Sequence, residues 1–558
     1  MRRRTYRRLL ALTGTLLALA ALLHALLIEA PRDLASHSAV PLASRAPHAL
    51  PIALAAYPAL IEEPLHPSQA ATELIGADRW RAAGFTGHGV RVAIVDTGFA
   101  GYEAHLGTSL PAAVRTRSFR ADGDLAAKSD HGTLAARIVS NIAPGAQLYL
   151  LNFQTVAELS ALVDYTIAQG ITVVSFSIGF VHNGPGNGAG PVNEIVSRSV
   201  AAGAFWSVAA GNWAQQHWAG PFTDRNNKSI HEFTSGVEDN GRNYRTGDLI
   251  LVSLRWDDPW GESCNDYDVE LFGPDGSLVR ASRTIQTCKS DPIEGMQVLA
   301  TLDGRYRARI IKTAGAQVKR VDLLMLGTPD RGEGIEVPVV AGSLTEPADH
   351  PGVFTVGAAN PLLPQQLARF SSRGPTTDGR PKPELVSPTG VATGADAAFG
   401  GTSAAAPHAA AAAALIVEAF PGASAPAIAA QLRARAAKLP PPAIDSEVGA
   451  GALQLGALTG LGTLLPRDAA TATLTELSAP NAPVAVFRYR GPALYPARFS
   501  YMLTPNREPH AIYRLDLGRL RFDTFVPRAP AIVNTFDVFQ DGELLIFTFA
   551  PSFFQRKT

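Results

Sequence analysis

A chain of 558 residues is long enough to bury several cores, roughly three or four folding units by length alone. Its 49 Lys and Arg balance 49 Asp and Glu, giving a formal net charge of zero. No basic field is available to recruit nucleic acid, so that class of partner is excluded.

Five arginines, Arg2, Arg3, Arg4, Arg7 and Arg8, precede an apolar run from Leu9 to Ile28 that only Thr13, Gly14, Thr15 and His24 interrupt. A basic flank stays cytoplasmic, so the chain beyond the run is expected to be exported and extracytoplasmic. The length of the run suits an uncleaved signal anchor, which would make the membrane a partner; a cleaved signal peptide over residues 1–30 is the alternative. The paired arginines also invite a twin-arginine export reading. Residues 31–69 are rich in Ala and Pro with little periodicity, and read as a linker.

From about residue 70 the pattern becomes that of an α/β fold. Val90 to Val95 is a β-branched run closed by Asp96-Thr97-Gly98, which places a carboxylate at the carboxyl end of a strand, where open α/β sheets keep their chemistry. Asp130-His131-Gly132-Thr133 comes next, and then Leu134, Ile138, Val139 and Ile142 recur at helical spacing, so His131 is expected at a helix N-terminus. Taken singly, the aspartate reads equally as a turn former and the histidine as a solvated side chain. Val173 to Gly179 (VVSFSIG) reads as a strand. The glycine-rich stretch Asn183 to Gly190 lacks the lysine and the spacing of a phosphate cradle and reads as a flexible loop. SVAAGN ends at Asn212.

Residues 222–334 change character. Short alternating runs at Asp248 to Trp256, Tyr267 to Phe272, Ser277 to Ser282, Gly304 to Ile311 and Val318 to Leu326, with the turn Gly273-Pro274-Asp275-Gly276, predict an antiparallel β-sandwich. Both cysteines, Cys264 and Cys288, lie here; in an oxidising compartment their disulfide would contribute roughly 3 kcal/mol. Asp266 and Asp268 are weak candidates for a structural calcium ion, solvated turn carboxylates being the plainer reading. No cofactor is otherwise required.

Gly400 to His408 (GGTSAAAPH) opens the alanine-rich stretch Ala409 to Ala419 and puts Ser403 at the start of a helix, beside unpaired N–H groups able to stabilise a nearby oxyanion. Gly-Thr-Ser before a helix is also ordinary N-cap chemistry. Residues 461–558 carry the runs VAVFRYR, FDTFVP and LLIFTF between turn residues and predict a further β-rich region.

Asp96, His131 and Ser403, in that order and in those local contexts, resemble the subtilisin-like serine proteases. The pieces that match are VRVAIVDTG, DHGTLAARI, VVSFSIG, SVAAGN, RFSSRGPTTDGRPKPELVSP (Arg369 to Pro388) and FGGTSAAAPHAAAAAALI. The resemblance implies a parallel sheet with helices on both faces over residues 70–221 and 335–460. It implies Ser403 as nucleophile, His131 as general base and Asp96 as the group that orients it. It further implies Asn212 as an oxyanion donor and Ser177, Ile178 and Gly179 as an edge along which a polypeptide substrate lies, and it offers a short prosegment, here poorly patterned, as the alternative to a linker over residues 31–69. A non-enzymatic alternative keeps the fold as an envelope binding or adhesion scaffold, and a peptide ligase on the same three residues is a minor third. Specificity and oligomeric state carry no sequence signal.

Overall fold

The computed structural model describes residues 71–328, 332–360, 366–392, 398–439 and 445–456, together with the strand Ala53–Ala55 and strand backbone between 473 and 549. The apolar run Leu9 to Ile28 lies outside the described residues. Among those described, no helix is long and apolar enough to cross a membrane.

Seven parallel strands form the central sheet, in the order Leu385–Pro388, Phe354–Ala359, Phe205–Ala209, Val173–Phe176, Arg91–Asp96, Gln147–Asn152 and Arg115–Ser118. Side chains alternate across a strand, so the continuous run of Arg91–Asp96 serves two cores. Val92 and Ile94 face a cluster built with the helices His131–Ile142, Thr402–Ala419 and Ala425–Arg435, whereas Ala93 and Val95 face one built with Val156–Ala168. Helices thus cover both faces, as expected.

The Thr402–Ala419 helix is apolar nearly all round, the pattern of a helix enclosed by protein. Its alanines, Ala404 to Ala406 and Ala409 to Ala414, are wholly buried. Short side chains let this helix pack against Val173–Phe176, Phe205–Ala209 and Phe354–Ala359 as well as against His131–Ile142.

Between Asn212 and Ser403 stand two four-stranded antiparallel sheets. One runs Ile293–Leu299, Leu249–Trp256, Arg320–Thr328, His217–Pro221; the other Leu278–Ser282, Tyr267–Phe272, Gly304–Lys312, Asn240–Tyr244. Residues of both, including Ile250, Val252, Leu254, Val269, Leu271, Ala308 and Ile310, share one apolar cluster. Five of these strands match the alternating runs read in the sequence. Cys264 and Cys288 form a disulfide that ties the loop leaving one sheet to the loop returning to it.

Eight strands between 473 and 549 form two more antiparallel sheets, with Val484–Arg490, Arg521–Val526 and Leu544–Phe549 among them.

Candidate active site

Asp96 ends its strand at the carboxyl edge of the sheet, and the His131–Ile142 helix begins directly against it. Gly132 makes the approach possible: its N–H donates to the Gly98 carbonyl at 3.0 Å. A Cβ at that position would stand 2.8 Å from the Asp96 Cβ and 2.7 Å from the Gly98 oxygen. The DHG sequence therefore brings a histidine onto a strand-end aspartate. His131 Nδ1 lies 2.8 Å from both carboxylate oxygens of Asp96, and Asp96 is fully buried. An Nδ1–H donated to this carboxylate fixes the ring orientation and leaves Nε2 as the basic nitrogen. Phe399, four residues before Ser403, stands edge-on to the imidazole at 5.1 Å between ring centroids.

Ser403 occupies the first turn of the Thr402–Ala419 helix. Gly401 precedes it at φ 81°, in the left-handed region that glycine tolerates, and a Cβ there would stand 2.9 Å from Asn212 Nδ2. Asn212 Oδ1 accepts from both the Thr402 N–H and the Thr402 hydroxyl, each at 2.9 Å. With its oxygen thus engaged, the amide must present Nδ2 on the other side. Asn212 Nδ2 and Ser403 Oγ are both buried with no hydrogen-bond partner among the described residues. Buried polar atoms are ordinarily paired, and these two unpaired ones lie on neighbouring segments.

Pro407, inside the first turns of the same helix, has no N–H to give the Ser403 carbonyl. Ser177 supplies the missing donor, its hydroxyl bonding the Ser403 carbonyl at 3.1 Å. The Ser177 side chain therefore supports the helix. The extended edge itself is Ile178–Phe180, one residue further along than the sequence pattern suggests. On this edge lies the strand Ala53–Ala55, antiparallel, with Ala55 opposite Ile178, Leu54 opposite Gly179 and Ala53 opposite Phe180.

Two other expectations change. The glycine-rich stretch after Phe180, expected to be flexible, is anchored on several sides. Gly188 N–H donates to Asp349, Thr377 N–H to the Gly186 carbonyl, Arg255 to the Gly184 carbonyl and Arg380 to the Asn187 carbonyl, all between 2.7 and 3.0 Å. Asp268 lies within the strand Tyr267–Phe272, and its carboxyl is pushed up to about 6 by burial, with Asp266 and Glu270 adding to the effect. Among the described residues no three His, Cys, Asp or Glu side chains are grouped to hold a metal ion, Asp266 and Asp268 included.

Residues 87–235 and 339–451 match the family described as the Subtilase family. Subtilisin DY of Bacillus licheniformis is 32% identical over 153 residues, which are 25% of this chain and 53% of subtilisin DY. The chain thus spans about half the length of this curated relative. The structure of the Clostridium perfringens CspB protease is similar at a TM-score of 0.52 and 19% identity, over 69% of this chain and 97% of CspB. That second likeness is one of fold. The two segments that match the Subtilase family are those that carry the buried Asp96–His131 pair and the Asn212–Thr402 contact.

Proposed function

We propose that the chain is an exported serine endopeptidase that cleaves peptide bonds through an acyl-enzyme on Ser403. The observation that carries this reading is the buried contact of His131 Nδ1 with Asp96, because such a pair has its use in holding a general base ready for a nucleophile. In this scheme His131 takes the Ser403 proton as Oγ attacks the carbonyl carbon, then returns it to the leaving amine. Asp96 stabilises the imidazolium formed in between. The developing oxyanion is met by Asn212 Nδ2 and by backbone N–H groups in the first turn of the Thr402–Ala419 helix. No cofactor enters any step.

Two further elements belong to the reading. The antiparallel seat of Ala53–Ala55 on Ile178–Phe180 supports that strand as the place where an extended substrate lies, since the chain's own segment uses the same main-chain pairing. It also favours a prosegment over a linker for residues 31–69. The Cys264–Cys288 disulfide supports an oxidising, extracytoplasmic location.

A fluorophosphonate probe tests the nucleophile. Labelling of the folded protein that disappears in Ser403→Ala is expected. A folded, N-terminally processed chain that takes no label would reject the peptidase and leave the scaffold alternative. The N-terminal residue of the mature protein would separately show whether cleavage falls within 31–69.

A further inference from the structure

The strand Ile178–Phe180 is braced from behind by the insert. Phe180 exchanges backbone hydrogen bonds with Glu346, at 2.8 Å and 3.2 Å, and the Asn183 N–H donates to Glu346 Oε2 at 3.2 Å. Into this corner reaches Arg255, from the Leu249–Trp256 strand of the insert and 4% exposed. Its Nη1 donates to the Gly184 carbonyl at 2.8 Å and to Glu346 Oε1 at 3.1 Å, and its Nη2 donates to Asp322 at 2.6 Å. Asp322, also in the insert, meets His182 at 3.3 Å and His217 at 2.9 Å, and His182 Nδ1 lies 2.9 Å from Ser253 Oγ. One guanidinium thus joins the insert to Gly184, which follows the Ile178–Phe180 strand, and to Glu346, which pairs with Phe180.

An apolar contact runs beside the polar one. Leu251, Leu324 and Leu326 of the insert cluster with Trp213 and Val181. The Trp213 ring lies so close under Gly179 that a Cβ there would stand 2.8 Å from it. Gly179 is the middle residue of the peptide-bearing strand, and Trp213 comes directly after Asn212. The insert therefore supports both the strand and its neighbour in the site.

The electrostatics explain why the brace is specific. Burial pushes Asp322 up, but Arg255 and then the two histidines outweigh it and hold the carboxylate well below its usual range. Burial and Asp349 push Glu346 up to about 8, with Arg255 opposing them. Removing the guanidinium strands buried carboxyl groups and frees the Gly184 carbonyl, and the segment can restore hydrogen bonding only by moving.

We propose that Arg255 is a positioning residue for peptide binding: acting through Gly184 and Glu346, it fixes the strand along which the substrate lies, without touching substrate or the reacting atoms. The inference rests on the serine peptidase reading above. It makes the insert part of the working site, and it predicts damage confined to substrates long enough to use the strand.

The full chain carrying Arg255→Met or Arg255→Lys would be compared with wild type in three assays: labelling by a small dialkyl fluorophosphate, hydrolysis of a tetrapeptide p-nitroanilide, and hydrolysis of an ester of its last residue alone. Lysine keeps the charge but cannot bridge Asp322, Glu346 and Gly184 together. Both variants are expected to label and cleave the ester within about twofold of wild type while losing roughly ten- to a hundredfold in kcat/KM on the tetrapeptide, chiefly through KM. If Arg255→Met does not fold, Arg255→Lys decides. Equal losses in all three assays, an unchanged tetrapeptide rate, or a lysine variant that cannot fold would each overturn the positioning role. A folded wild type that takes no label would instead reject the peptidase reading, and the positioning role with it.

Discussion

In the proposed mechanism Asn212 does two jobs with one amide. Its oxygen is spent on Thr402, and that fixes where Nδ2 points. Asn212→Ala is therefore expected to lower kcat on a peptide by roughly a hundred- to a thousandfold, with KM little changed, because the donor acts on charge present only in the transition state. Ser403→Ala and His131→Ala should each cost about a millionfold in kcat; these magnitudes are carried over from subtilisin itself. Turnover near wild type in purified Ser403→Ala would sink the assignment. At this scale the sequence discloses local placements: Asp96 at a strand end, His131 and Ser403 at helix starts. It does not disclose the pairs that join distant segments, such as Ser177 with Ser403 and Thr402 with Asn212, 226 and 190 residues apart. Arg255 does leave a trace in the sequence. An arginine inside the otherwise uncharged run LILVSLRW, buried along nearly its whole length, requires a buried partner.

Among the elements, the strands rich in branched and aromatic residues are legible, and three of the insert's eight are not. Asn240–Tyr244 (NGRNY) carries an Asn-Gly pair that reads as a turn, His217–Pro221 (HWAGP) has no β-branched residue, and Ile293–Leu299 (IEGMQVL) contains an interior glycine. All three are held by tertiary pairing that local propensity does not encode. The glycine-rich stretch after Phe180 departs from its expected flexibility for the same reason, since its anchors come from Asp349, Thr377, Arg380 and Arg255. The disulfide acts at this scale too. It closes a loop of sequence separation 24 between the two sheets' connections, so a Cys264→Ser/Cys288→Ser chain should lose roughly 3 kcal/mol of stability. Urea unfolding followed through the insert's tryptophans would measure it, and an unchanged midpoint would mean that the sheets hold these loops unaided. Asp266 and Asp268 belong to no group of three His, Cys, Asp or Glu side chains able to hold a metal ion among the described residues. A chelator is accordingly expected to leave the melting temperature where it was; a fall of several degrees on chelation would restore calcium to the structure.

Across the molecule, buried histidines set how stability depends on pH. His182 at the insert's contact with the Phe180 turn, His231 in the insert core, His350 before the Phe354–Ala359 strand and His408 in the Thr402–Ala419 helix are each lowered from 6.5 to about 4, burial being the largest cause in every case. Each folded value lies below the unfolded one, so between about pH 6.5 and 4 the unfolded chain binds protons that the native chain refuses. Their stabilisation is complete above pH 6.5 and is lost as the pH falls toward 4. Raised carboxyls act in the opposite sense. Glu346, raised to about 8, and Asp268, raised to about 6, hold protons in the native state that the unfolded chain has released, and burial shifts Asp349 in the same direction. Around pH 5 the histidines and the raised carboxyls therefore pull in opposite directions, the histidines favouring proton uptake on unfolding. Because the four histidines are spread over the α/β core, the insert and the contact between them, the loss should appear in every part of the fold at once. Denaturant midpoints measured from pH 7 to pH 4 should fall steeply and together for probes in the catalytic core and in the insert. A flat profile would mean that these imidazoles titrate at ordinary values, and a fall confined to the insert would mean that His408 and His350 do not share in the transition.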